Sequence, residues 1–132
     1  MNKIDHLGIA VPDLMAATQL YQQLGFHFHG QERVESQGVT VAFFACGESH
    51  IELLEPIHDQ SPISKFLAKR GPGIHHVCVE VDDIEKTLSA YRDQGIQLIN
   101  PEPVPGAGGC RVAFVHPRST CGVLLELKEK MK

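Results

Sequence analysis

The chain is written twice. Residues 4–14, IDHLGIAVPDL, align with residues 74–84, IHHVCVEVDDI, and the register holds through Tyr21 against Tyr91 and Gly25 against Gly95. With short insertions, Val41-Ala42-Phe43 then matches Val112-Ala113-Phe114, and Ile51-Glu52-Leu53 matches Leu125-Glu126-Leu127. Chance similarity rarely keeps such an order over half a chain, so the second half repeats the fold of the first.

Each copy opens with a strand of alternating character and continues into a helix that starts near Pro12-Asp13 or Asp82-Asp83, where an acidic residue suits the first turn. Leu14, Ala17, Tyr21 and Leu24 recur at helical spacing, as do Ile84, Leu88 and Tyr91, and Gly25 and Gly95 supply left-handed stops. Three shorter strands complete each copy, around 26–32, 38–46 and 49–55 in the first and around 96–100, 110–116 and 122–128 in the second. Between the copies, Ser61-Pro62 reads as an N-cap and first helical position, and Gly71 closes a short connector helix carrying Ile63, Phe66 and Leu67. The expected organisation is one domain over residues 1–132: repeat one about 3–56, connector helix about 61–71, repeat two about 73–130. The class is α+β, two tandem βαβββ modules.

Side chains alternate faces along a strand. In the first strand Leu7, Ile9 and Val11 share the face expected under the helix, which leaves His6, Gly8 and Ala10 opposite. In the second copy Val77, Val79 and Val81 take the helix side and His76, Cys78 and Glu80 the other. Ile51 and Leu53 pack inward, as do Leu125 and Leu127, so Glu52 and Glu126 face away from the helices. If the two copies curve toward each other about a pseudo-twofold, the mixed sheet forms a cup and two His and two Glu face into it. Imidazole nitrogen and carboxylate oxygen suit Zn, Mn, Co, Ni or Fe(II), and two of each leave two octahedral positions open for water or substrate. Each repeat supplies one His and one Glu from equivalent strands, which sets His6, Glu52, His76 and Glu126 apart from solitary strand residues. His75 competes with His76, but alternation puts it on the helix side and its repeat partner is Asp5. His27, His29, His50, His58 and His116 have no equivalent in the other half.

Composition narrows the function. A formal charge of −4 with 21% charged residues carries no basic excess for nucleic acid. No apolar run approaches the roughly 18 residues that span a bilayer. Cys46, Cys78, Cys110 and Cys121 form no C-x-x-C pair, and the N-terminus MNKIDHLGIAV has no signal-peptide pattern, so the expectation is a cytoplasmic protein with reduced thiols.

These residues resemble the vicinal oxygen chelate superfamily, which includes glyoxalase I, extradiol dioxygenases and bleomycin- or fosfomycin-resistance proteins. DHLGIAVPDL, QGVTVAFFACGESHIELLEP, SPISKFLAKRGPGIHHVCVEVDDIE and PGAGGCRVAFVHPRSTCGVLLEL are similar, within it, to the methylmalonyl-CoA epimerase family over residues 4 to 128. SPISKFLAKRGPGIHHV and HPRSTCGVLLEL are the more specific blocks. The resemblance implies a divalent metal (Co, Mn, Zn or Ni) on His6, Glu52, His76 and Glu126, and an acyl-CoA thioester bound through its carbonyl and carboxylate oxygens. By analogy it also implies a homodimer. Three departures stand out: some epimerases carry Gln in place of Glu52 and a carboxylate in place of Val41, and Gly108 stands where many relatives have His.

Epimerisation would remove the proton alpha to the thioester through an enediolate and return one to the opposite face, with the metal as Lewis acid. That requires two bases, and with Val41 unable to serve, Glu126 is the first candidate and Glu52 the second. Lys65, Lys69, Arg70, Arg111 and Arg118 are candidate partners for CoA phosphates, with Ser119 and Thr120 as hydroxyl donors. Glyoxalase I is the nearest alternative, because it uses the same ligand set and also moves a proton beside a carbonyl. A non-catalytic drug-binding resistance protein is the alternative of another class, distinguished by little need for four metal ligands. An extradiol dioxygenase would want two His and one carboxylate, and Glu52 is one ligand too many.

Overall fold

The computed structural model describes residues 1–131. It divides into two compact units, one of residues 6–75 and one of Met1–Asp5 together with the chain from His76 onward. The elements run β1 Ile4–Ala10, α1 Leu14–Gln23, β2 His27–Val34, β3 Val39–Cys46, β4 Ser49–Pro56 and α2 Pro62–Arg70, then β5 Gly73–Val81, α3 Ile84–Asp93, β6 Val104–Pro105, β7 Arg111–Val115 and β8 Leu125–Glu129.

Within the first repeat the strand order is β2-β3-β4-β1, and within the second it is β6-β7-β8-β5. Each repeat's opening strand lies parallel to its last, β1 to β4 and β5 to β8, and the other pairs are antiparallel. A crossover helix is what a parallel pairing requires, and α1 and α3 supply it. Their starts are built alike. Asp13 Oδ1 accepts from Ala16 N and Asp83 Oδ1 from Lys86 N, each filling one of the unpaired donors at a helix N-terminus. A strand carboxylate adds a second cap in each repeat: Glu55 Oε2 accepts from Leu14 N at 2.7 Å and Glu129 Oε2 from Ile84 N at 3.1 Å. Both helices are followed by a left-handed glycine, Gly25 at φ 101° and Gly95 at φ 76°. In α2, Ser61 caps Ile63 N with Pro62 in the first turn, and Gly71 lies at φ 77°.

The alternation holds where the helix lies. Ile9, Val11, Ile51 and Leu53 join Leu14, Ala42 and Phe44 under α1, with Ala17, Tyr21 and Phe26. Val79, Val81, Leu125 and Leu127 join Ile84, Leu88, Ala113 and Val115 under α3. The opposite faces are buried as well: so are His6, Gly8 and Ala10 on β1 and His76 and Cys78 on β5. In the unit that contains the second repeat, the N-terminal residues extend the structure beside β5. Asn2 N donates to Glu80 O, Glu80 N donates to Lys3 O, and Lys128 Nζ holds both oxygens of buried Asp5 at 3.2 Å.

Two expected elements are corrected. Residues 96–100 do not form a strand; Leu98 makes one isolated bridge to Val115. The reason is local: Phe114 N gives its hydrogen bond to the Asn100 side chain at 2.8 Å, Ile99 N takes Phe114 O, and Pro101 and Pro103 cannot donate to a ladder. The edge of the second repeat is instead the two-residue β6. The last strand begins at Leu125, not 122, because Cys121 and Gly122 turn through φ 58° and 94°. The four cysteines are free, Cys46 and Cys121 exposed, Cys78 and Cys110 buried. No helix among the described residues is long and apolar enough to cross a membrane.

Candidate metal centre

Each repeat builds a His–Glu pair by the same strand register, the first through imidazole Nδ1 and the second through Nε2. In the first, Glu52 sits in register with Gly8, two residues after His6 on the neighbouring parallel strand. In the second, Glu126 sits in register with Cys78, two residues after His76. Carboxylate and imidazole thus approach diagonally on one face, over a residue small enough to leave room. His6 Nδ1 lies 3.1 Å from Glu52 Oε2, and His76 Nε2 lies 2.9 Å from Glu126 Oε1. All four residues are between 5% and 7% exposed. Buried His and Glu of this kind survive in a fold only when paired or metal-bound, because an isolated charge is costly to desolvate.

Antiparallel pairing brings an aromatic residue to each carboxylate: Phe43 is in register with Glu52, and Phe114 with Glu126. Phe114 also meets the His76 ring edge-on, centroids 5.7 Å apart. The sequence reasoning aligned Phe43 with Phe114 but assigned them nothing; reading the hairpin register across from each Glu would have found them. Asn100, which holds the Phe114 backbone, has no counterpart in the first repeat and carried no signal. Val41 lies two residues before Phe43, on the same side of β3 as Phe43, and is 2% exposed, an apolar wall beside Glu52.

The other candidates are placed as follows. His75 packs edge-on against Phe66 of α2, centroids 5.1 Å apart, and so serves the connector helix. His116 Nδ1 accepts from Arg118 N in a 3-10 turn. Ser119 Oγ accepts from Gln97 N at 2.9 Å, and Thr120 Oγ1 donates to the carbonyls of Pro117 and Val123. Lys65 and Arg118 are exposed. Arg111 belongs to the helix side of β7: its guanidinium meets Glu129 at 3.0 and 3.1 Å and Glu85 at 3.6 Å, and the Glu129 hydrogen bond above all raises its pKa. Gly108 lies at φ 70°, a conformation in which a larger residue is strained.

Residues 5–114 match the family model of the glyoxalase/bleomycin resistance protein/dioxygenase superfamily. The mitochondrial methylmalonyl-CoA epimerase of Dictyostelium discoideum is 41% identical over 133 residues, covering 98% of this chain and 80% of that protein. The crystal structure of methylmalonyl-CoA epimerase from Mycobacterium tuberculosis superposes with a TM-score of 0.94 at 36% identity, covering 98% of this chain and 89% of the other. A methylmalonyl-CoA epimerase in complex with methylmalonyl-CoA and an ammonium ion gives 0.92 at 36% identity, covering 98% and 95%.

Proposed function

The chain belongs to the glyoxalase/bleomycin resistance protein/dioxygenase superfamily, and from that footing we propose that it is a cytoplasmic, metal-dependent epimerase that interconverts the 2R and 2S forms of methylmalonyl-CoA. The observation that carries this reading is the near full-length likeness to methylmalonyl-CoA epimerases, since a His–Glu pair from each repeat suits a glyoxalase equally well.

His6, Glu52, His76 and Glu126 are the proposed ligands of one divalent cation, Co, Mn, Zn or Ni. The donor chemistry fits: two imidazole nitrogens and two carboxylates, each pair already within 3.1 Å and sequestered from water. The cation would supply Lewis-acid stabilisation of charge on the substrate's carbonyl and carboxylate oxygens. The chain's own part is to move the proton. Glu126 is the first base and Glu52 the second, and their equivalent positions in the two repeats suit a transfer that takes a proton from one face and returns it to the other. Phe43 and Phe114, across the strands from these carboxylates, and buried Val41 keep the environment dry, which strengthens the electrostatic terms. Lys65 and Arg118 are the proposed cations for CoA phosphates, beside Ser119 and Thr120. Arg111 is committed to Glu129. A homodimer is the proposed assembly.

The test is to load the protein with Co, add methylmalonyl-CoA in deuterated water, and follow the alpha proton by NMR. The reading requires exchange together with equilibration of the two epimers. No exchange, with turnover of the glutathione hemithioacetal of methylglyoxal instead, would replace the epimerase by a glyoxalase.

A further inference from the structure

The repeats differ in what sits beside the carboxylate that caps each crossover helix. In the second, Arg111 fills the space between β7, β8 and the start of α3, held at 3.0 to 3.1 Å by both oxygens of Glu129, while Glu129 also caps Ile84 N. In the first repeat the equivalent carboxylate, Glu55, caps Leu14 N in the same way. The position equivalent to Arg111 is Thr40, in register with Glu55, and the position equivalent to Leu88, fully buried under α3, is Thr18. Two large side chains are thus replaced by threonines. What they leave is an open groove of about 550 Å³ lined by Asp13, Thr18, Thr40 and Glu55, with Met15 and Phe28 on its apolar side.

That volume lies in the range of small-molecule sites, about 300–1,000 Å³, and one polar position on its lining is not required by packing. Thr18, on the groove's lining, has a side-chain oxygen with no hydrogen-bond partner among the described residues. Leu88, fully buried at the equivalent position, shows that the position itself does not require a polar residue. The carboxylates and the apolar wall together match a planar cation with several N–H donors on an aliphatic stem. The second repeat supplies the template, since there the same carboxylate holds a guanidinium in fork geometry.

We propose that the groove of the first repeat is a guanidinium-binding site, in which Glu55 holds in trans the group that Glu129 holds in cis. The ligand is either a free alkylguanidine or an arginine side chain of another protein; the chemistry is shared and the site is independent of the metal centre.

The test uses the full chain, isotopically labelled, with agmatine as the free probe and acetyl-Gly-Arg-Gly-amide as the side-chain probe, and choline as a control cation. Binding is read from the backbone resonances of Leu14 and Thr18. The expected result is a saturable shift with at least one guanidinium probe, absent with choline. Glu55→Gln should weaken it about tenfold or more, the scale of losing a charge-assisted bidentate pair. Thr40→Arg should restore the arrangement of the second repeat, abolishing the shift while holding or raising Tm. A shift with agmatine alone identifies a free ligand, and one with the peptide alone identifies a protein partner. The proposal is overturned if neither probe shifts these resonances, if choline shifts them equally, or if the shift persists in Thr40→Arg.

Discussion

The His76–Glu126 pair makes a quantitative prediction for the chelator-treated protein. His76→Ala removes an imidazole 2.9 Å from Glu126 Oε1, with both side chains 6% exposed, and ends the edge contact with Phe114. Deleting one partner of a buried hydrogen-bonded pair costs about 1–3 kcal/mol, and the lost aromatic contact adds about 0.5–1.5. Together these put the loss at about 3 kcal/mol. A chain of this length has roughly 7–20 kcal/mol in total at 0.05–0.15 per residue, so the loss is large but leaves the protein folded. Urea unfolding of His76→Ala, Glu126→Gln and the double variant in the presence of a chelator gives the coupling energy, expected at about 1–3 kcal/mol. Single-variant losses that simply add, within about 0.5 kcal/mol, would refute the pairing.

Further outcomes follow from the same geometry. Leu88→Ala empties a fully buried position under α3 and should cost about 2–5 kcal/mol, against less than about 0.5 for Leu20→Ala at 52% exposure; thermal unfolding compares them. Asp83→Ala removes the cap on Lys86 N and should cost about 1 kcal/mol by urea titration. A thiol reagent should label Cys46 and Cys121 in the native protein and Cys78 and Cys110 only after unfolding, since the first two are exposed and the others buried. Glu126→Gln keeps the side-chain shape but not the base, and should lower kcat about 10²–10⁴-fold in the epimer assay.

Much of this arrangement was legible because a repeat constrains twice. Asp13 and Asp83, Gly25 and Gly95, and the alternation that set His6 and His76 opposite the helix-covered faces each recur, so a pattern weak in one copy is supported by the other. The alternation did not reveal that the far faces are buried too, because the small residues Gly8, Ala10 and Cys78 carry no polarity signal. The elements misread lie where the copies diverge. Residues 96–100 look like a strand by composition, but the Asn100 carboxamide takes the hydrogen bond that a strand backbone would take, and no propensity rule expresses that competition. Arg111 reads as a free cation in the sequence because its partners Glu129 and Glu85 lie 18 and 26 residues away and meet it only through strand register and helix placement.

The His6–Glu52 and His76–Glu126 pairs are proposed to serve one metal ion. Calorimetric titration of the chelator-treated protein with Co(II) tests it most directly. One ion per chain is expected, lost in His6→Ala and equally in His76→Ala although each variant leaves the other pair intact. Two ions per chain, or a single ion that survives His6→Ala at wild-type affinity, would contradict it.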